Sequence, residues 1–350
     1  MNKNILAIAI AAATFGTQAV AVEVYNNDGT TFAIGGHVTA ALAGGEERDT
    51  TVEAVSPRIN MTATQDMGNG FTIDARGEWS LNFLENGGNS FSTRLGYIGL
   101  THEEMGRAVI GTQWAPFYDV ASLTDMPIAF ANDFLYDGMY GGDFALTGQT
   151  RADQMISYRN GFDFAEAGSL NFGLAWQGKN DNTSEELIGT DANGDLVYKE
   201  VGAEFDDRIQ LAVSYSIMGA QLGYAYSTGD VTESNNTRSL DFHAVSAAYG
   251  SYGNGLYLAA LYQMTEDKNV TDIDAYELIA AYALANSLNL SINYETVESQ
   301  EKNKAKETDR EEMALQAEYN FTSNVVGFGG YQFDLEGDDD RFMIGARVYL

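Results

Sequence analysis

The segment Phe71 to Phe83, FTIDARGEWSLNF, constrains this chain more than any other feature. Phe71, Ile73, Ala75, Trp79, Leu81 and Phe83 alternate with Thr72, Asp74, Arg76, Glu78, Ser80 and Asn82. Strand side chains point to opposite faces with period two, so one face here is apolar and the other strongly polar. Thr31 to Ala43 repeats the pattern, with Phe32, Ile34, Val38 and Leu42 opposite Thr31, His37 and Thr39. So do Phe205 to Ser216, Asn286 to Thr296 and the terminal RFMIGARVYL.

Sixteen such segments can be read, beginning near Thr31, Ala54, Phe71, Phe91, Gly106, Gln154, Ser169, Phe205, Ala220, Asp241, Gly255, Ala275, Asn286, Met313, Val325 and Arg341. Many run for roughly 8–13 residues, close to the length of a tilted membrane-spanning strand. Pro57 cannot donate to a ladder, so the second strand is expected to pair fully from Arg58.

A soluble sandwich also alternates, with its apolar face inside. The connections separate the two cases. Short turns, Gln65 to Gly70, Glu103 to Gly106, Ile217 to Ala220 and Gly250 to Gly255, alternate with longer acidic stretches. The latter are Gly44 to Thr50, Lys179 to Glu204, Glu298 to Glu312 and Glu336 to Asp340. Short turns at one end and long loops at the other are the layout of an outer-membrane barrel. Lipid offers no hydrogen-bond partner, so a spanning sheet must close and leave no free edge. A sixteen-strand barrel is too wide for side chains to fill, which predicts an aqueous lumen. The expected fold class is all-β, a sixteen-stranded antiparallel transmembrane β-barrel.

The net charge of −31 argues against nucleic acid as a partner. The 20 Tyr and 18 Phe argue against disorder. With no cysteine, disulfides and thiolate chemistry are excluded. Residues 1–21 read as a cleaved signal peptide: Lys3, an apolar run from Ile5 to Phe15, then Ala19-Val20-Ala21. The barrel domain is then 22–350.

One break interrupts the strands. Residues 113–153, including DVASLTDMPIAFANDF, show neither strand nor helix periodicity. A long irregular segment in a compact domain implies a function. In a water-filled barrel such a loop can fold inward and narrow the pore.

Several stretches bear on that point together. VEVYNNDGTTFAIGGHV is similar to the mature start EIYNKDGN…LYGK of the enterobacterial general-diffusion porins, and GTQWAPFYDVASLTDM to their GR-x-YGVVYD…TDM. SYRNGFDF…GSLNFGLAWQGKND resembles TYRN…GLNFAVQYQGKN, and DDDRFMIGARVYL resembles the terminal strand. Residues 178–340 match in layout only.

The resemblance implies a homotrimer of sixteen-stranded barrels in the Gram-negative outer membrane, in contact with lipid and lipopolysaccharide and needing no cofactor or metal. It implies an inward-folded third loop presenting Asp119, Asp125 and Asp133 to a basic wall. Arg58, Arg94 and Arg159 fall on wall positions of the family, and Arg76 lies on the same inward face. Alternation puts Arg58 opposite Ile59 and Met61, and Arg94 opposite Leu95 and Tyr97. Without the motif match, each inward arginine would read simply as solvated.

Two departures from the family pattern stand out. The wall lysine is replaced by His37, and the loop motif PEFGGD reads PIAFAND, without its glutamate. The waist is therefore expected to carry fewer charges of both signs. Protonation of His37 around its usual pKa of ~6.5 is one expected source of pH dependence; a spectator role is the simpler reading. The family ends in phenylalanine, this chain in Leu350.

The expected function is passive diffusion of small hydrophilic solutes and ions. A cation preference is expected from the acidic outer loops, which focus negative potential. The alternatives are a substrate-selective channel such as a sugar porin, or an outer-membrane enzyme or adhesin. The tyrosines fall mostly on the outward face, which disfavours a sugar track. Neither His102 nor His243 has a persuasive catalytic partner, so no enzyme is expected.

Overall fold

Backbone N–H and C=O groups inside lipid must pair with each other, and the chain meets that demand by a ring of hairpins. The computed structural model describes residues 21–84, 91–132, 144–181, 183–190, 196–268 and 270–350. The first twenty residues of the expected signal peptide lie outside that set.

The strands are β1 (Thr30–Gly45), β2 (Arg58–Gly68), β3 (Phe71–Leu81), β4 (Phe91–His102), β5 (Gly106–Trp114), β6 (Arg151–Asp163), β7 (Ser169–Gln177) and β8 (Arg208–Ile217). They continue as β9 (Ala220–Glu233), β10 (Asn236–Ser251), β11 (Asn254–Asp267), β12 (Thr271–Ala283), β13 (Leu288–Glu301), β14 (Glu307–Asn320), β15 (Val325–Asp334) and β16 (Arg341–Tyr349). Each pairs antiparallel with its sequence neighbours, and β16 pairs with β1 from Tyr349↔His37 to Arg341↔Gly45, closing the barrel. The edge of β1 beyond His37 is covered from the other direction. Val22–Asn27 folds back on Thr30 to Ile34, and the Leu350 N–H donates to the Gly36 carbonyl at 3.0 Å. Val22–Asn27 and the C-terminal Leu350 therefore seal one seam.

β2 begins at Arg58, as Pro57 requires. At the long-loop end several strands run further than the apolar alternation indicates. β10, β12 and β14 start before the expected Asp241, Ala275 and Met313, and two residues, Ser234 and Asn235, join β9 to β10. Much of the expected loop Glu298 to Glu312 is ladder, with Glu298 opposite Thr308. Above the lipid band both faces are wet, so the apolar period disappears while cross-strand hydrogen bonds persist.

The outer surface is a band of exposed aliphatic side chains, including Val38, Leu42, Ile98, Ile110, Leu174, Leu222, Leu278, Leu290 and Ile344. Inward positions on the same strands are buried or half-buried and mostly small or polar, such as Thr39, Ala41, Asn60, Gln210, Ser246 and Asn289. One sector of the interior is apolar. Ala212, Ala225, Leu240, Phe242, Ala244, Leu261 and Ala275 form a cluster on the inner wall of β8–β12, and it is completed by the segment between β5 and β6.

Candidate pore constriction

That segment starts after Trp114 and ends before Arg151; its residues 133–143, Asp133 among them, lie outside the described set. Pro116 opens a six-residue helix, α1 (Pro116–Ala121), at the position where its fixed φ and missing N–H cost nothing. Phe117, Val120 and Ala121 are buried in the cluster on β8–β12. Small inner-wall residues make room: a Cβ on Gly223 would meet Val120 Cγ1 at 2.9 Å, and one on Gly173 would meet Pro116 Cβ at 2.9 Å.

Beyond α1 the segment is tied to successive strands of the far wall. Gln210 on β8 accepts from the Phe117 N–H and donates to the Gly148 carbonyl. Tyr257 on β11 donates to the Leu123 carbonyl at 2.7 Å, and Thr124 donates to the buried Glu277 on β12. Glu318 and Gln316 on β14 accept from the Ile128 and Phe130 N–H groups, both at 2.8 Å. Leu123 packs with Tyr257, Ala259, Ile279 and Ala281. All of these anchors except the Thr124–Glu277 bond satisfy a backbone group of the segment that no ladder reaches.

Opposite lies the charged wall. Glu78 on β3, buried, gathers three arginines: Arg76 Nη2 at 2.8 Å from Oε2, Arg94 Nε at 3.1 Å and Arg58 Nη1 at 3.7 Å from Oε1. The structure alters the reading of β4. Glu78 pairs with Leu95 and Trp79 with Thr93, leaving Arg94 as the extra residue of a β-bulge. A bulge changes the phase of the alternation. Leu95 and Tyr97 therefore line the lumen with Arg94 instead of opposing it, and Ile98 and Leu100 are the residues exposed outside.

Arg159 does not join the Glu78 group. Its Nε donates to Asp119 Oδ2 at 2.6 Å, its Nη2 to Asp119 Oδ1 and the Trp114 carbonyl, so loop acid and wall base neutralise each other directly. Asp125 accepts from Tyr118, whose ring stacks on Trp114 with centroids 4.5 Å apart. His37 is buried, with Nδ1 2.9 Å from Thr39 Oγ1.

These groups surround one cavity of about 1400 Å³ inside the barrel. Every arginine of the chain except Arg208 and Arg238 lines it. Its described carboxylates are Glu53, Glu78, Asp119, Asp125, Glu312 and Glu318, and among the described residues no lysine lines it. The basic side is thus rich in arginine. Arg107, Arg151, Arg310 and Arg347 were not singled out from sequence, nor was Glu78 given its central place. Arg347 and Arg310 were legible only as inward positions of β16 and β14. Glu78 stood on the polar face of β3 from the start, but nothing in the sequence said three arginines would converge on it.

A closed sixteen-strand barrel, apolar outside and polar within, with a loop folded against one inner wall, invites comparison with known proteins. The family model described as Gram-negative porin matches residues 6–340. The chain belongs to the Gram-negative porin family. Outer membrane porin F of Salmonella typhi is 27% identical, covering 97% of this chain and 94% of that protein. A solved structure of Salmonella typhi OmpF in complex with daunomycin superposes with a TM-score of 0.74 at 22% identity, covering 94% of this chain and all of that one. A trimer form of Vibrio cholerae OmpT, folded in vitro, gives a TM-score of 0.56 at 18% identity, covering 92% of this chain and all of that one. This porin is an outer-membrane channel for passive diffusion in a Gram-negative cell.

Proposed function

We propose that the channel passes small hydrophilic solutes and ions without a bound cofactor or a catalytic step, and that it prefers cations. The observation that carries the diffusion reading is the polar cavity enclosed by a barrel with an apolar exterior. The cation preference rests on the net charge of −31 with nearly all arginines drawn inside, which leaves the excess acid at the mouths. The arginine-rich wall favours a second reading, anion preference. In planar bilayers under a KCl gradient, a reversal potential of cationic sign supports the first and one of anionic sign replaces it with the second. Swelling of liposomes in sugars of graded size tests the pore itself: general diffusion admits small sugars in order of size, a sugar-selective porin breaks that order, and a barrel enzyme or adhesin admits none.

A homotrimer is proposed as the working assembly, in contact with outer-membrane lipid and lipopolysaccharide. The outward tyrosines support it. From β6 to β15 they recur on the outer face, for example Tyr158, Tyr224, Tyr249, Tyr276, Tyr282 and Tyr319. The single tyrosine of β1–β5, Tyr97, faces the lumen. Tyrosine seats its polar tip at a membrane interface, so the sector without outward tyrosines suits a neighbouring subunit better than lipid. Its outer face is Val38, Leu42, Met61, Ile98 and Ile110. Placing Arg at Ile98 and at Leu278 separates the two surfaces: loss of the trimer on native gels is expected only for Ile98→Arg.

A further inference from the structure

The turn between β10 and β11 is Tyr252–Gly253, one of the short turns that face the periplasm in this layout. Gly250, at φ +86°, stands where the ladder register shifts, and a Cβ there would lie 2.0 Å from the Leu256 carbonyl oxygen. Met67, Phe164 and Met218 at other short turns are exposed. Tyr252 is half-buried instead and lines the lumen cavity together with Gly253.

What Tyr252 touches is the inward-folded segment and its holders. Its ring meets Tyr257 edge to face, with centroids 5.9 Å apart, and Tyr257 donates to the Leu123 carbonyl. With Met126 it packs against the cluster of Leu123, Tyr257, Ala259, Ile279 and Ala281. Its hydroxyl is buried and lies among Ser291 and Asn289 on β13 and Glu318 on β14. Glu318 is the carboxylate that accepts from the Ile128 N–H at 2.8 Å. A carboxylate has about four acceptor sites, so a hydroxyl beside it restricts how it can turn while it holds Ile128. One side chain on a tight hairpin turn therefore backs two anchors of the segment, and a group carried on a stiff element is a fixed stop.

We propose that Tyr252 is a positioning residue for the waist: a strut, carried on a periplasmic turn, that fixes where the segment from Leu123 to Phe130 stands in the lumen. The limiting width of the pore then depends on the β10–β11 turn as well as on the wall strands that bind the segment. This inference rests on the channel reading but not on which ion the pore prefers.

The test uses the full-length folded barrel, which has no cysteine of its own. A nitroxide on Ala131→Cys, at a residue that lines the cavity, reads the segment without conductance. Tyr252→Ala should narrow the nitroxide spectrum, as a freer segment would. It should also raise the exclusion limit for graded poly(ethylene glycol)s in single-channel currents. Tyr252→Phe keeps the ring and should stay close to wild type in both readouts. Tyr249→Ala removes an exposed tyrosine from the outer face at the same end of β10. It should lower thermal unfolding in detergent and move neither readout. Tyr252→Leu serves if Tyr252→Ala does not fold. Spectrum and exclusion limit equal in wild type and Tyr252→Ala, or shifted as far by Tyr249→Ala, overturn the strut. A spectrum that responds to Tyr252 in a barrel that carries no current overturns the channel reading alone.

Discussion

The two halves of the barrel interior are built by the same strand period and end in opposite states. Along β8–β12 the inward positions are apolar or small, and α1 fills the space in front of them with Phe117, Val120 and Ala121. Along β16 and β1–β4 the inward positions carry His37, Arg58, Arg76, Glu78, Arg94 and Arg347, and the space stays open. A wide barrel needs to be narrowed, and here it is narrowed from one side. The apolar half provides a dry surface on which an irregular segment can pack, and the charged half is left for the solute. The pore is therefore off-centre, with its chemistry concentrated on one wall.

The sharpest way to break this division is a charge in the filled half. Val120→Asp should cost about 3–5 kcal/mol, the scale of an unpaired buried charge, and release α1 from the wall. Lower thermal unfolding in detergent together with raised single-channel conductance is the expected pair of results; unchanged conductance would mean the segment does not set the waist.

Glu78→Gln acts on the open half. It removes the carboxylate shared by three guanidiniums and should destabilise the barrel by about 1–3 kcal/mol. It should also move the reversal potential toward anions, so a shift toward cations would contradict the proposed wall charge. Asp119→Asn frees Arg159 where the two halves meet. A smaller anionic shift is expected, on the order of twofold in permeability ratio, with no loss of stability in urea titration comparable to that of Val120→Asp.

His37→Asn should have the least effect. The ring is buried against Thr39, with Arg58 and Arg347 on either side. Equal conductance profiles from acid to neutral pH are expected for variant and wild type, and a divergence near neutrality would give the imidazole an active role.

Most of the architecture was legible because lipid imposes one rule on every strand. The alternation in Phe71 to Phe83, taken with short turns at one end and long loops at the other, pointed to a polar inside and an apolar outside. Legibility stopped at the wet ends, where β10 and β14 continue without an apolar period, and at Arg94, where one extra residue moved Leu95 and Tyr97 into the lumen. The family resemblance supplied Arg58, Arg94, Arg159 and the loop aspartates as candidates. Asp119 and Arg159 turned out to be partners of each other, and Arg76 and Arg94 partners of Glu78.

The sequence by itself determined which residues face lipid and which face water wherever a ladder runs without a bulge, because side-chain direction there follows from position along the strand. It also determined that the sheet must close, since no free edge survives in a bilayer. Which inward residues meet was decided only by tertiary structure. Register brings Arg58 beside His37 on neighbouring strands and Arg347 beside Thr39 across the two ends of the chain. The packing of α1 on Phe242 and Leu240 chooses which half of the lumen is filled. Those are distances between strands, and period two carries no information about them.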